Sequence, residues 1–230
     1  MKALCIAHRG KHDVYWENTY NAFLEASKRN FYGIETDIHL TKDGRWITHH
    51  NETIISGGKE YSILDLTFDE ITKMHLDNYQ NDDHAYVCPF EDYLKICKES
   101  GKRPIIEIKN NPTKEEIKEM LDIVESIIGI NNSTFICFYP WPLAKINRIM
   151  KRKVHIQQLI EKHEELKIWD FHKRFDLDIH YDHINKATVQ KWHRHKIKIN
   201  IWTVDDRTTL DKMEVLGVDY ITTNVFEQDD

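Results

Sequence analysis

The sequence predicts a single (β/α)8 barrel of the TIM type, interrupted by a β-hairpin and an insertion after the second strand. Three observations carry that expectation. Short apolar runs alternate with helix-like stretches along the chain, and such alternation calls for parallel strands with helices outside. Eight apolar runs occur, at 3–7, 33–38, 104–108, 134–138, 154–159, 177–181, 197–204 and 220–222, which favours a closed barrel over an open sheet. The length of 230 residues suits one barrel, a fold that commonly takes about 250. No repeat, low-complexity tract or Pro/Gly-rich linker divides the chain, so 1–230 is expected to be one domain.

In chain order, the first run, Ala3-Leu4-Cys5-Ile6-Ala7, meets His8-Arg9. A helical stretch over 18–30 follows, with Asn18 as a suitable N-cap. The second strand, 33–38, continues into Leu40-Thr41-Lys42-Asp43-Gly44-Arg45-Trp46, where Asp-Gly between extended residues signals a hairpin. With the turn centred on Asp43-Gly44, the return strand brings His50 to the height of Asp37. Residues 51–89, rich in polar residues and carrying Gly57-Gly58, read as a lid or substrate-covering insertion; the whole excursion spans roughly 40–89. Further helical stretches are expected over 90–100, 113–128, 141–151, 161–173, 185–195 and 207–216. In 113–128, Ile117, Met120, Leu121, Val124 and Ile128 recur at three- and four-residue spacing behind the N-cap Thr113. The sixth strand is the least regular, because Asp178 and His180 interrupt its apolar pattern.

Composition narrows the function classes. A hydrophobic share of 40% is enough for a core at this length. The net charge of −6 argues against a nucleic-acid binder, which carries a basic face. It leaves a small-molecule phosphodiester possible, because a local pocket can be positive. The apolar start is too short for a signal peptide, and no stretch nears the roughly 18 apolar residues of a membrane span. A cytoplasmic monomer or homodimer without stable membrane insertion is expected. Cys5, Cys88, Cys97 and Cys137 form no CxxC pair and read as buried free thiols.

Active sites of such barrels sit at the C-terminal strand ends. Read in order, those ends offer His8-Arg9, Glu35 and Asp37, Glu107 and Lys109, Phe138-Tyr139, Gln157, Tyr181, Trp202 and Thr222, and the hairpin adds His50. Strand alternation puts Glu35 with Asp37 on one face, and Glu107 with Lys109. Three carboxylates at one mouth repel each other unless their pKa values rise or a cation sits among them. Oxygen ligands suit a hard divalent cation, Mg2+ or Ca2+. Arg9 and Lys109 would hold phosphate oxygens, Arg9 with its fork and Lys109 as a point charge. His8 and His50 make an acid–base pair. Trp202 is a candidate substrate contact. Plainer readings stand beside these. Glu-x-Asp can be a solvated rim pair, Lys109 can merely pair with Glu107, and Trp202 can be core. His49 is expected on the opposite face in a structural role, and His39 lies past the rim.

Taken together, His8-Arg9-Gly10, Glu17-Asn18-Thr19, Glu35-Thr36-Asp37, Thr41-Lys42-Asp43-Gly44, His50, Glu107-Ile108-Lys109, Trp202-Thr203-Val204 and the segment from Gly217 to Asn224 resemble the glycerophosphodiester phosphodiesterase family. The resemblance covers nearly the whole chain. It implies hydrolysis of deacylated phospholipid head-group esters, such as glycerophosphocholine or glycerophosphoethanolamine, to sn-glycerol 3-phosphate and an alcohol. It also implies metal ligation by Glu35, Asp37 and Glu107, acid–base roles for His8 and His50, and phosphate contacts from Arg9 and Lys109. Three positions depart from the family pattern. Trp16 stands where Pro is usual before Glu-Asn-Thr, Asn51 replaces the Asp that usually follows the hairpin histidine, and Asn224 stands where Asp is frequent. Two rival readings keep the scaffold: a lysophospholipase D or sphingomyelinase D-like enzyme acting on lipids, and a non-catalytic binding barrel.

Overall fold

The computed structural model describes residues 2–77, 82–162, 165 and 175–228. Eight parallel strands form the barrel: β1 (Leu4–Ala7), β2 (Gly33–Leu40), β7 (Arg103–Ile108), β8 (Thr134–Cys137), β9 (His155–Ile160), β10 (Asp176–His180), β11 (Ile199–Trp202) and β12 (Tyr220–Thr223). The sheet closes because β1 pairs with β12 on one side and with β2 on the other. Ile6, Ile105, Ile136, Leu159 and Tyr220 fill its interior.

Helices α1 (Tyr20–Ser27), α3 (Phe90–Ser100), α4 (Lys114–Ile127), α5 (Pro140–Ile149), α6 (Lys186–Arg194) and α7 (Arg207–Leu216) lie along the chain between strands, with a short α2 (Phe68–Ile71) in the insertion. The expected amphipathic face of α4 is the buried one: Ile117, Met120, Leu121 and Val124 pack into the core. Thr113 caps it through a full capping box with Glu116. The expected helix over 161–173 lies almost wholly outside the described residues.

Three expectations need correction. The N-cap of α1 is Thr19, whose side chain accepts from the Ala22 N–H. Asn18 instead sits in the left-handed region at φ 56°, where its side chain faces the second strand. The hairpin exists, with β3 (Trp46–Thr48) antiparallel to β2, but its ladder pairs Leu40 with Trp46 and Ile38 with Thr48. The turn is therefore the five residues Thr41 to Arg45, closed by the Thr41 N–H on the Arg45 carbonyl at 2.9 Å. That register sets His49 opposite Asp37, its N–H 3.0 Å from the Asp37 carbonyl, and His50 one residue further along. The described residues of the insertion also build a core of their own, where only a covering segment was expected. Its β4 (Thr53–Ser56), β5 (Lys59–Ser62), α2 and β6 (Cys88–Pro89) surround a cluster of Ile47, Ile54, Ile63, Ile71, Leu76, Ala85 and Val87. Its apolar residues were hidden in a polar-looking segment because they come from separate short elements.

Candidate active site

A cavity of about 320 Å3 opens at the C-terminal ends of the barrel strands. It is lined by His8, Arg9, Glu35, His50, Glu107, Lys109, Phe138, Leu159, Asp178, Trp202 and Thr222, among others. Seven of the expected site residues thus line one mouth; the eighth, Asp37, is fully buried beside Glu107. No described residue of 51–89 lines the cavity.

Adjacent strands bring the acids together. Asp37 on β2 stands beside Glu107 on β7 in the parallel ladder, and Glu35 lies one pleat below on the same face. One carboxylate oxygen from each of Glu35, Asp37 and Glu107 falls within 4.8 Å of the others. Two of the three resist ionisation. Burial first, then the neighbouring Asp37, raises Glu35 well above the carboxylate range and pushes Glu107 up to about 8. Asp37, although burial opposes its charge, is held below the usual range by Arg9, Lys109 and His50. Three buried acids with two pushed toward protonation mark a site short of positive charge. The all-oxygen donor set fits a hard divalent ion.

The cations are anchored by these acids. Arg9 Nε is 3.2 Å from Asp37 Oδ2, and its Nη1 meets both oxygens of Glu17 at 2.9 and 3.0 Å. Its backbone N–H donates to Glu35 Oε2 at 2.9 Å. Lys109 Nζ donates to Glu107 Oε1 at 2.9 Å and lies 3.3 Å from Asp37 Oδ1. Asn18 completes the shell, donating from Nδ2 to Asp37 Oδ2 at 2.9 Å and accepting from Thr36 Oγ1 at 2.8 Å.

Each histidine is aimed by a neutral amide. Asp205 Oδ2 accepts from Asn224 Nδ2 at 2.6 Å, so the amide oxygen must face the other way. That oxygen accepts from His8 Nδ1 at 2.8 Å and from His12 Nε2 at 2.7 Å. With Nδ1 protonated, His8 Nε2 is left as a proton acceptor. Burial, with help from Arg9, lowers His8 to about 4, so its ring is neutral near pH 7. His50 Nδ1 likewise meets Asn51 Oδ1 at 2.9 Å; burial lowers this ring while Asp37 pulls it back up. His39 supports the backbone, its Nε2 3.2 Å from the His50 carbonyl. His49 Nε2 reaches the Thr53 carbonyl at 3.1 Å; neither ring lines the cavity.

The family model of the glycerophosphoryl diester phosphodiesterases matches residues 8–228. The chain belongs to the glycerophosphoryl diester phosphodiesterase family. A relative from Caldanaerobacter subterraneus subsp. tengcongensis, a glycerophosphodiester phosphodiesterase, is 26% identical over 97% of this chain and 95% of its own. A solved glycerophosphodiester phosphodiesterase from Parabacteroides distasonis superposes with a TM-score of 0.80 at 27% identity, covering 97% of this chain and 93% of that one. A phosphodiesterase from Oleispira antarctica, solved with the product sn-glycerol-3-phosphate, shares the fold with a TM-score of 0.84 at 16% identity, covering 97% and 93%. This glycerophosphodiester phosphodiesterase is therefore a hydrolase built on a TIM barrel. Among its described residues no helix is long and apolar enough to cross a membrane.

Four residues of the enzyme's site carry no role in the sequence reading. Asn18 looked like a cap, and Asn224 only like a departure from a pattern. Asp205 gave no signal, because its partners are contributed by the following strand. Asp178 was visible as a polar break in the sixth strand. That break was the available signal, since a carboxylate inside an apolar run of a barrel strand must face the mouth or be paired.

Proposed function

We propose that the enzyme hydrolyses small glycerophosphodiesters, such as glycerophosphocholine or glycerophosphoethanolamine, to sn-glycerol 3-phosphate and an alcohol, with the whole chain acting as one catalytic domain. The observation that carries this reading is the meeting of Glu35, Asp37 and Glu107 within 4.8 Å at the wall of the cavity that Glu35 and Glu107 line together with His8 and His50. Those three carboxylates would hold Mg2+ or Ca2+, which when bound polarises a phosphoryl oxygen and neutralises developing charge. Lys109 and Arg9 face the remaining phosphate oxygens, with Glu17 and Asp37 fixing the guanidinium plane.

The two imidazoles divide the proton transfers. His8, neutral and with Nε2 unprotonated, takes the proton of the attacking hydroxyl, either water or the neighbouring hydroxyl of the glycerol. His50, beside Asp37, returns a proton to the departing alkoxide oxygen. Asn224 and Asn51 hold the rings in place without adding charge.

The test is turnover on a panel of glycerophosphodiesters with and without EDTA, following release of sn-glycerol 3-phosphate. Activity that disappears with EDTA and returns with Mg2+ or Ca2+ supports the proposal; metal-independent turnover, or none on any member, removes it. A second reading, action on lysolipids, draws on Tyr139 and Trp141, which stand exposed next to the cavity residue Phe138. Lysolipid micelles belong in the same panel, and a preference for them over water-soluble diesters would favour that reading.

A further inference from the structure

The wall of the cavity formed by β10 and β11 holds polar atoms that the fold does not use. Asp178 is 1% exposed and its Oδ1 has no hydrogen-bond partner among the described residues. Trp202 Nε1 is also buried and unpartnered among them. Both residues line the cavity. In the β10–β11 ladder Asp178 stands beside Asn200 and His180 beside Trp202, so Trp202 is one pleat nearer the mouth on the same inward face. The indole is held from two sides, edge-on to Phe138 at 5.8 Å and to His180 at 5.2 Å. Asn200, beside Asp178 in the ladder, donates from Nδ2 to Thr222 Oγ1 at 3.0 Å, which fixes the floor beneath.

We propose that Asp178 Oδ1 and Trp202 Nε1 together receive a free hydroxyl of the glycerol moiety, making Asp178 a specificity residue for deacylated diesters. This rests on the reading of the enzyme as a glycerophosphodiesterase. One orphaned acceptor and one orphaned donor on the same cavity wall match a hydroxyl, which gives one hydrogen bond and takes another. An ammonium head group offers no acceptor and would leave the indole N–H unpaired. A diacylated glycerol lacks the donor that Asp178 needs, and a site built to hydrogen-bond a hydroxyl discriminates strongly against analogues without it. Burial lifts Asp178 to about 7, so the fold tolerates a carboxyl that is costly to ionise and that no neighbour fully satisfies. A ligand hydroxyl supplies the missing partner in either protonation state.

The first measurement uses the unaltered metal-loaded enzyme and compares its affinity for sn-glycerol 3-phosphate with that for propyl phosphate by calorimetry. Tighter binding of the hydroxylated ligand by roughly 10-fold or more is expected; equal affinities overturn the proposal. The second compares kcat/KM for glycerophosphocholine and propylphosphocholine in Asp178→Ala and Asp178→Asn. The Ala variant should collapse the preference for the glycerol ester by roughly 10- to 100-fold, chiefly through KM, whereas Asn, which keeps an acceptor oxygen, should retain most of it. An unchanged preference in Asp178→Ala overturns the proposal. So does a loss confined to choline and ethanolamine esters and absent for glycerophosphoglycerol, which would give the carboxylate to the cationic head group. Failure of the unaltered enzyme to hydrolyse any glycerophosphodiester would instead remove the functional reading, and the two-ligand affinity comparison would still judge the hydroxyl site.

Discussion

The division of work proposed for His8 and His50 rests on what surrounds each ring. Both rings are half-buried at the mouth; burial and Arg9 lower His8 to about 4, whereas Asp37 pulls His50 back up against burial. A general acid matters most when the leaving alkoxide is a poor one, and a general base matters whatever leaves. His8→Ala is therefore expected to lose about 10²- to 10⁴-fold in kcat on glycerophosphocholine and on a p-nitrophenyl phosphodiester alike. His50→Ala should lose a similar factor on glycerophosphocholine and recover most of it on the p-nitrophenyl ester. Steady-state kinetics on the two substrates decide the assignment, and the reverse pattern would exchange the roles. The Asn224 amide shows why a one-residue reading of a motif misses function. Its two ends are fixed by Asp205 on one side and two histidines on the other, and none of these is near it in sequence.

Among the elements, β2 and β7 do the positioning, since their contact sets the spacing of Glu35 and Asp37 against Glu107. Gly33 is where that contact is tightest: a Cβ there would come 2.5 Å from the Arg103 carbonyl oxygen. Backbone cannot yield as a side-chain tip can, so Gly33→Ala must push the two strands apart at their start. Thr113→Ala, in contrast, removes only an exposed helix cap on α4. The cap variant should cost about 1 kcal/mol of stability and leave turnover and metal affinity unchanged. Gly33→Ala should cost more and also weaken Mg2+ or Ca2+ binding, measured by calorimetry and thermal unfolding together. Metal affinity that survives Gly33→Ala would show that the acids are held by their local shell rather than by strand spacing. The candidate for such a shell is Asn18, pinned in a left-handed conformation between Thr36, Asp37 and Thr48, whose Oγ1 donates to its carbonyl at 2.8 Å.

For the molecule as a whole, the buried acid cluster makes folding sensitive to pH, and the divalent ion proposed for it would change that sensitivity. Glu107 is lifted to about 8 from a usual 4.5, and Glu35 is lifted as well. Between those two values the folded state keeps protons that the unfolded chain has released, so stability falls as pH rises. His8, His39 and His49, each lowered to about 4 by burial, act in the opposite sense. Their contribution is lost as pH falls from 6.5 toward 4 and is complete above 6.5. From pH 6.5 to 8 the buried carboxylates set the slope. The Tm of metal-free enzyme should therefore drop across that window, and saturating Mg2+ or Ca2+ should flatten or reverse the drop, because the cation favours the ionised ligands. Identical slopes with and without metal, in scans from pH 6.5 to 8, would count against a divalent ion in this cluster.

The barrel was legible from the chain because its evidence is local. Apolar runs, helix periodicity at Ile117, Met120, Leu121 and Val124, the Thr113 cap and the Asp43-Gly44 turn are each contained in a few consecutive residues. The strand-end acids and histidines were legible for the same reason, since strand alternation and the rim rule fix which way they point. What only the tertiary structure decided lies between distant segments. The five-residue turn that sets His49 rather than His50 opposite Asp37, the small core inside 51–89 and the exchange of Asn18 from cap to carboxylate partner all depend on packing against other elements. So do the Asp205–Asn224–His8 chain and the unpartnered oxygen of Asp178. Hydrogen bonds and burial act through space, and a sequence records only the order in which their partners are joined.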